Sequence, residues 1–275
     1  MRLSEALIEF EADVRLAGSP RTAEIYAYAV RRLIRAVGDV ELREVSERDL
    51  RRFLAGMKIA PATRRLYVIA LRSFFAFCVR MGWREDNPAR RLRLPARPWR
   101  RQAVARAEDV RRLLAACEDS PRGRRNAAVV AMLFESGLRA SELCALRPED
   151  VDLRRRIARV VGKGNRERTA PFGEETARRL RAWLEVRPGH LRTLFGLNRH
   201  GLKTMLRRLC AAAGMETLSP HAFRRGWATR LVEMGVPLKA VKEWGGWSDY
   251  RILEVYIRYV ETEAMVGLYR SPLGS

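Results

Sequence analysis

A basic segment that contains two prolines interrupts the chain at residues 89–106 and most constrains its fold. The segment reads ARRLRLPARPWRRQAVAR, with seven arginines and no acidic residue. Pro95 and Pro98 prevent a single helix from running through it, because proline lacks an amide hydrogen and clashes with the preceding turn. We therefore predict two domains, residues 1–88 and residues 107–275, that are joined by a basic linker at residues 89–106.

Helical periodicity dominates the chain before this linker. Apolar residues recur at helical spacing near residues 3–16, 20–37, 47–54 and 62–81. The pair Ser19-Pro20 is typical of a helix start, and Gly38 is typical of a helix end. The first domain is therefore predicted to be a bundle of four helices.

Residues 107–275 combine helices with a short β-hairpin. Helical patterns lie near residues 110–117, 125–135 and 140–145, and helices broken by proline and glycine follow from Glu174. Between them, two strand patterns are joined by the turn GKGNRE; these strands are Ile157–Val161 and Arg168–Phe172. The predicted fold class is mainly α with a small β-sheet, and the second domain is a mixed α+β domain.

The charge of the chain indicates a polyanionic partner. Lysine and arginine total 54 against 32 aspartate and glutamate, which gives a formal net charge of +22. Only five of these basic residues are lysine, which is typical of codon bias toward arginine, but such a bias does not create an excess over acids. Nucleic acid is the commonest partner of so basic a globular chain, and a ribosomal or membrane-surface protein is the alternative.

The sequence gives no support to metal-dependent or nucleotide-dependent classes. Its three histidines and four cysteines have no zinc-ligand or redox spacing, and no phosphate-binding glycine loop is present. We expect no metal and no cofactor. No signal peptide and no apolar run of membrane-spanning length is found, so a cytoplasmic protein is expected. The cysteines are expected to be buried thiols: Cys78, Cys117, Cys144 and Cys210.

Four short strings in the second domain carry the candidate chemistry. Taken singly, each has an ordinary structural interpretation as an ion pair, a helix cap, a turn or a core aromatic. The strings are SGLRASEL with Arg139 and Glu142, GKGNRER with Lys163, SPHAFRRGWAT with His221 and Arg224, and GGWSDYRILEVYIRY with Trp247 and Tyr256.

In this order the strings resemble the tyrosine recombinase family, also called the phage integrase family. That family carries GLRxSEL, GKGxKxR and HxLRHxxAT, followed by GH or GW with a tyrosine nine residues later. Trp247 and Tyr256 have this spacing. The family's first domain carries SxxT…Y and ends in an N-P pair, which correspond here to Ser19, Thr22 and Tyr26, and to Asn87-Pro88. The resemblance covers nearly the whole chain.

The resemblance implies an Xer-like, site-specific DNA recombinase of two domains. Residues 1–88 would form the core-binding, SAM-like DNA-binding domain, and residues 107–275 the catalytic domain with its C-terminal tail. The implied reaction cleaves and rejoins DNA through a 3′-phosphotyrosine intermediate, without metal or ATP. It would serve integration and excision, or dimer resolution.

The resemblance also implies a role for each site residue. Arg139 and Arg224 would hold the non-bridging oxygens of the phosphate, for which guanidinium groups are suited. Tyr256 would be the nucleophile, His221 would accept or share its proton, and Lys163 would protonate the departing 5′ oxygen. The set is completed by Trp247, which can donate one hydrogen bond to the phosphate, and by Glu142, which would orient the arginine–histidine cluster.

Two strings depart from the family pattern. In HAFRR, Phe223 and Arg225 stand where the family has leucine and often a second histidine. The hairpin reads GKGNRER in place of GKGxKxR, which leaves Lys163 unchanged. Tyr259 lies three residues after Tyr256 and is the rival nucleophile, but the spacing of nine from the tryptophan selects Tyr256.

The expected partners are double-stranded DNA with a specific recombination site and further copies of this chain. We expect a tetramer on paired sites, in which the apolar tail residues Ala264, Met265 and Leu268 dock on a neighbouring subunit. Basic residues on the predicted helices and in the linker are the candidate DNA contacts: Arg65, Arg72, Arg97, Arg100, Arg101, Arg199, Lys203 and Arg207.

Two alternatives stay open at this point. A type IB topoisomerase-like enzyme would use the same chemistry without exchanging strands, but the recombinase-like first domain argues against it. A non-catalytic DNA-binding regulator would fit the charge and a helix-turn-helix over residues 221–250, but binding alone does not require the whole set of site residues. The sequence also leaves open the choice between chromosome-dimer resolution and mobile-element integration.

Overall fold

The chain forms two compact units, Met1–Arg100 and Arg101–Ser275. The computed structural model describes residues 1–17, 20–96, 103–162 and 167–257, together with residues 260, 266 and 268. Within the last helix, the side chains of residue 252 and residues 255–257 lie outside this description. The division between the units falls inside the predicted linker.

The first unit is the predicted bundle of four helices. Their bounds are α1 Leu3–Ala17, α2 Pro20–Val37, α3 Glu47–Ala55 and α4 Pro61–Arg80. Gly38 has φ +85°, a conformation that glycine adopts without strain, and the α2 helix ends there as predicted. In the core, the Phe10 ring packs edge-on against Phe74, with ring centroids 5.4 Å apart.

The chain that follows α4 packs against this bundle. Ala89 and Leu92 are buried in the core of the first unit. Arg72 donates to the carbonyl of Ala89 at 3.3 Å and to that of Leu92 at 2.5 Å, and Arg65 donates to the carbonyl of Pro95 at 3.1 Å. The first part of the predicted linker is therefore bound to the first unit by arginines of α4.

The second unit is helical around a small sheet, which confirms the predicted fold class. Its helices begin with α5 Ala107–Ala115, α6 Pro121–Ser136 and α7 Ala140–Ala145. The strands follow as β1 Val151–Asp152, β2 Ile157–Val161 and β3 Glu167–Pro171. The remaining helices are α8 Glu174–Leu184, α9 Arg199–Ala212, α10 Pro220–Glu233, α11 Leu238–Gly245 and α12 Tyr250–Ile257.

The sheet is antiparallel in the order β1-β2-β3, so the predicted hairpin is confirmed. The second strand of the hairpin, β3, begins and ends one residue earlier than predicted, at Glu167 and Pro171. In the register, Val160 of β2 lies opposite Arg168 of β3. The prediction missed β1, because a strand of two residues is too short to produce an alternating pattern.

Two apolar clusters hold the second unit together. The larger one surrounds α6, whose central residues Val129, Val130, Met132 and Leu133 are fully buried. A smaller cluster joins α10, α11 and α12 through Trp227, Ala228, Val241, Trp247 and Leu253. This smaller cluster positions the candidate active site, because it fixes the turn between α11 and α12 against α10.

The end of the predicted linker docks on α10. The Ala105 amide donates to the carbonyl of Ala222 at 3.0 Å, and Arg225 Nε donates to the carbonyl of Ala103 at 2.9 Å. A Cβ on Gly226 would lie 2.1 Å from the Ala105 carbonyl oxygen, so this close approach requires glycine. Arg225, which departs from the family pattern, thus binds a backbone carbonyl next to the site.

The four cysteines are free thiols. Cys78 and Cys210 are buried as expected, whereas Cys117 and Cys144 are only half-buried. Burial raises the pKa of Cys78 to about 12 and that of Cys117 to about 11, so both are protonated at neutral pH. Among the described helices, none is both long and apolar enough to cross a bilayer.

Candidate active site

Arg139 and Glu142 lie where α6 gives way to α7. Gly137 ends α6 with φ +60°, and Arg139 is the residue that precedes the first turn of α7. The Arg139 amide donates to Glu142 Oε2 and its Nη1 donates to Glu142 Oε1, both at 2.7 Å. Its Nη2 donates to the carbonyl of Gly246 at 2.8 Å. The side chain of Arg139 stays 33% exposed, so its guanidinium can meet a ligand.

Glu142 is a buried carboxylate with two arginines. Its side chain is 4% exposed, and Arg168 Nη2 donates to its Oε2 at 2.7 Å. Burial alone would raise the pKa of this carboxyl. The charge of Arg168 and the hydrogen bonds from Arg139 outweigh burial and lower the pKa, so Glu142 is ionised at neutral pH.

Arg224 lies on α10, which begins at the predicted Ser-Pro start. The Ser219 side chain accepts from the Ala222 amide, and Pro220 is the first helical residue. Arg224 is 1% exposed. Its Nη1 donates to the carbonyl of Gly137 at 2.5 Å, and its Nη2 donates to the carbonyl of Gly245.

The turn between α11 and α12 brings the two predicted phosphate-binding arginines together. Arg224 donates to the carbonyl of Gly245 and Arg139 to that of Gly246. Side chains from α10 and from the residue before α7 thus bind two consecutive carbonyls of this turn. Gly246 has φ +62°, and a Cβ on Gly245 would lie 2.0 Å from the Trp247 ring. Both glycines are required here, one by its conformation and the other by space.

His221 is exposed at the start of α10, three residues before Arg224. Partial burial lowers the pKa of its imidazole, and the charges of Arg225, Arg224 and Arg139 lower it further. His221 is therefore near enough to Arg139, Arg224 and Arg225 to be affected by their charges. An imidazole with a lowered pKa is neutral at pH 7 and can accept a proton.

The structure describes the two remaining predicted residues only in part. Lys163 lies outside the described residues, between Val161 at the end of β2 and Glu167 at the start of β3. Tyr256 belongs to α12, but its side chain lies outside the description, as does the whole of Tyr259. The α12 helix packs on α10 through the buried Leu253.

The structure thus brings together five of the predicted residues: Arg139, Glu142, His221, Arg224 and Trp247. The roles of all seven stay predictions. Arg168, which contacts Glu142, was not among the predicted residues. A signal for it was present, because GKGNRER ends in Arg168 where the family motif also ends in arginine.

The candidate DNA contacts fall into three groups. Arg199, Lys203 and Arg207 are exposed at spacings of four along α9, on one face, and form no ion pair within the described part of the chain. On α4, Arg65 and Arg72 donate to carbonyls of the first unit, as described above. Three linker arginines lie outside the described residues: Arg97, Arg100 and Arg101. A DNA contact for each stays a prediction.

Two further expectations concern metals and the tail. Among the described residues, no group of three or more potential metal ligands comes together. Of the tail, Ala264 and Met265 lie outside the described residues. Leu268 lies beside Gly235 of the same chain, since a Cβ on Gly235 would be 3.3 Å from the methyl carbons of Leu268. Docking of the tail on a neighbouring subunit stays a prediction.

Comparison with known proteins gives matches along most of the chain. The phage integrase family matches residues 104–263, and the phage integrase N-terminal SAM-like domain matches residues 7–82. Tyrosine recombinase XerA of Thermococcus kodakarensis is 34% identical over 269 residues, which cover 93% of this chain and 91% of XerA. Tyrosine recombinase XerC of Mycobacterium tuberculosis is 34% identical over 220 residues, 74% of each chain.

Solved structures share the fold. A lambda integrase dimer bound to a COC′ core site matches with a TM-score of 0.77 at 19% identity, over 95% of this chain and 79% of that one. XerH bound to palindromic difH, in a post-cleavage complex, matches with a TM-score of 0.76 at 19% identity, over 95% of this chain and 83% of that one. At these identities the likeness concerns the fold alone.

Proposed function

Because the chain belongs to the phage integrase family of tyrosine recombinases and is a site-specific recombinase, we propose that it cleaves and rejoins duplex DNA through a 3′-phosphotyrosine. The observation that carries this proposal is the convergence of Arg139 and Arg224 on the Gly245–Gly246 turn. This turn leads directly to Trp247, and Tyr256 follows nine residues later on α12.

The two arginines supply the charge that this reaction needs. A phosphodiester repels nucleophiles through its non-bridging oxygens, and the charge on these oxygens grows in the transition state. Arg139 is partly exposed and meets the phosphate first in this proposal. Arg224 is buried, so contact with the phosphate requires movement of the chain that covers it. The Trp247 ring and the Gly245 carbonyl lie on its guanidinium, so we infer that the turn between α11 and α12 moves when DNA binds.

Proton transfer is assigned to His221 and Lys163. The Tyr256 oxygen attacks phosphorus and loses its proton to His221, whose imidazole is neutral at pH 7 because burial and three arginines lower its pKa. As the bond from phosphorus to the 5′ oxygen breaks, Lys163 protonates that oxygen. Rejoining reverses both transfers, and the phosphotyrosine ester conserves the energy of the broken bond, so the reaction needs neither ATP nor metal.

The proposed partners are duplex DNA and further copies of this chain. The net charge of +22 provides the attraction to phosphate, and the exposed basic residues of α9 form one face suited to the DNA backbone. A lambda integrase that shares this fold is a dimer on its core site. We propose a tetramer on paired sites for this protein, since strand exchange requires that two duplexes be held together.

The test begins with recovery of a DNA site. The protein is incubated in EDTA with a library of randomised duplexes, each nicked so that a cleaved fragment is lost and the covalent adduct accumulates. Adducts are captured under denaturing conditions, and the DNA is sequenced. We expect an enriched site and a peptide adduct on Tyr256 by mass spectrometry. Absence of adducts in EDTA, with adducts in Mg²⁺, would overturn the metal-independent mechanism.

A further inference from the structure

Arg168 joins three elements of the candidate active site. It is the second residue of β3, lies opposite Val160 of β2, and its side chain is 7% exposed. Its Nη2 donates to Glu142 Oε2 at 2.7 Å, and its Nη1 donates to the carbonyl of Trp244 in α11. Burial of an arginine costs free energy unless its charge is matched, and Glu142 is the carboxylate that matches it.

The stem of Arg168 also packs under the Gly246 turn. A Cβ on Gly246 would lie 2.7 Å from the Cδ of Arg168 and 3.3 Å from Nη1 of Arg139. The carbonyl of the same glycine accepts from Arg139. Arg168 is therefore in contact with the Gly246 turn. The carbonyl of this turn accepts a hydrogen bond from Arg139, and the next residue in the chain is Trp247.

The charges of this cluster do not cancel. Glu142 carries one negative charge and is bound by two cations, Arg139 and Arg168. Without Arg168, Glu142 would form an ion pair with Arg139 alone and neutralise it. With Arg168 in place, one carboxylate is shared by two arginines, and the trio has a net charge of +1. The exposed member of the trio is Arg139, so this charge is available to a phosphate.

We propose that Arg168 is a positioning residue, which balances the charge of Glu142 so that the cluster around Arg139 keeps a net positive charge toward the scissile phosphate. This inference rests on the proposed function, because it concerns the same phosphate. In this proposal Arg168, whose side chain is 7% exposed, does not contact the phosphate itself. Its side chain acts through Glu142 and through the Gly246 turn.

The inference can be tested by varying the charge of the substrate. Strand cleavage in single turnover is measured on the recovered nicked site and on the same site with a methylphosphonate at the scissile position. The methylphosphonate replaces one charged oxygen by a neutral methyl group, so that it needs less positive charge from the protein. We compare wild type with Arg168→Gln, Arg168→Lys and Arg139→Ala, all at saturating DNA.

We expect Arg168→Gln to cleave the phosphodiester roughly ten- to a hundredfold more slowly, in the range for loss of one charged interaction. On the methylphosphonate, the cleavage rate of Arg168→Gln should lie within about threefold of the wild-type rate. The rate of Arg139→Ala on this substrate should also lie within about threefold of wild type. Arg168→Lys, which keeps the charge, should recover most of the phosphodiester rate. The matched control is Arg159→Gln, an exposed arginine on the neighbouring strand, which should cleave both sites at the wild-type rates.

Equal defects of Arg168→Gln on both substrates would indicate a general disturbance of the fold and overturn the inference. A wild-type rate in Arg168→Gln would overturn it as well. Either result leaves the proposed function standing, provided that the wild-type protein cleaves the phosphodiester site. If the wild type cleaves neither site, the proposed function fails and the inference fails with it.

Discussion

The guanidinium carbon of Arg224 lies 4.2 Å from the centroid of the Trp247 ring, so a buried cation rests on an aromatic face. The indole also packs on Trp227, with ring centroids 5.9 Å apart. Attraction between a cation and an aromatic ring is stronger when water is removed from both. Trp247 therefore combines two roles, a platform for Arg224 and a proposed N–H donor to the phosphate, and substitution can separate them.

Trp247→Phe keeps an aromatic face but removes the indole N–H. We expect its single-turnover cleavage to fall about ten- to a hundredfold, the effect of one hydrogen bond to a charged group. Trp247→Ala should also lower the free energy of unfolding by about 3–5 kcal/mol. The matched control is Trp183→Phe in α8, which removes the hydrogen bond from the Trp183 indole to the carbonyl of Leu194. That variant should lose stability in denaturant titration yet cleave normally, and normal cleavage by Trp247→Phe would contradict the donor role.

The Gly246 turn allows backbone strain to be separated from crowding. Gly246→Ala places a side chain at φ +62° and 2.7 Å from Arg168, so we expect a loss of about 2–4 kcal/mol and slow cleavage. Gly82→Ala has a similar φ of +71° with no atom within 4 Å, and it should lose only about 1 kcal/mol. Gly189→Ala has neither feature and should be neutral. Denaturant titration of the three variants gives the order, and equal losses in Gly82→Ala and Gly246→Ala would rule out crowding.

The lowered pKa of His221 predicts how the rate of cleavage depends on pH. Only the neutral imidazole accepts the tyrosine proton, so the rate should rise with pH as His221 deprotonates and then level off. Because partial burial and the charges of Arg225, Arg224 and Arg139 lower the pKa of His221, the midpoint should lie below that of an ordinary histidine. Single-turnover rates between about pH 5 and 8 measure the midpoint.

Substitution of His221 tests whether this residue causes the fall in rate at acidic pH, which is the acidic limb of the profile. His221→Gln should remove the acidic limb and slow the reaction, whereas the exposed His190→Gln should preserve both limb and rate. An acidic limb that persists unchanged in His221→Gln would assign the titration to another group.

Local signals of the sequence predicted most of the fold. The α7 helix was predicted at residues 140–145 and occupies them, because it follows the helix break at Ser136-Gly137 and has Glu142 in its first turn. In the first unit, α2 and α4 begin at prolines, and α2 ends just before Gly38. These features act within a few residues, and a sequence displays them directly.

Contacts between distant residues were beyond such reasoning. Strand alternation places Arg168 on the same face as the buried Ala170, but its ion-pair partner Glu142 lies 26 residues away and no local pattern identifies it. Likewise, Arg72 binds carbonyls 17 and 20 residues further on, where the sequence predicts a contact with DNA. An arginine is equally suited to a carbonyl and to a phosphate, so only tertiary structure decides between them.

The exposed basic face of α9 predicts how DNA binding depends on salt. Each arginine or lysine that neutralises a phosphate releases about one counterion, so replacement of Lys203 by alanine should reduce the slope of log affinity against log salt by about 0.9. The triple variant of Arg199, Lys203 and Arg207 should reduce it about three times as much. Arg178→Ala removes an exposed arginine of α8 that is paired with Glu175, and it should leave the slope unchanged. Fluorescence anisotropy at several salt concentrations measures the slopes, and an unchanged slope in the triple variant would remove α9 from the interface.

The identity of the nucleophile is the prediction on which the mechanism depends. Tyr256 is the seventh residue of α12, a helix that the buried Leu253 fixes within the same apolar cluster as Trp247. Replacement of tyrosine by phenylalanine removes only the hydroxyl, so Tyr256→Phe should abolish the covalent adduct on a nicked site while binding of that site stays unchanged. Tyr259→Phe should form the adduct at a rate near that of wild type, and Tyr250→Phe, at the exposed start of α12, serves as a second control. An adduct that persists in Tyr256→Phe and disappears in Tyr259→Phe would place the nucleophile three residues later in the chain.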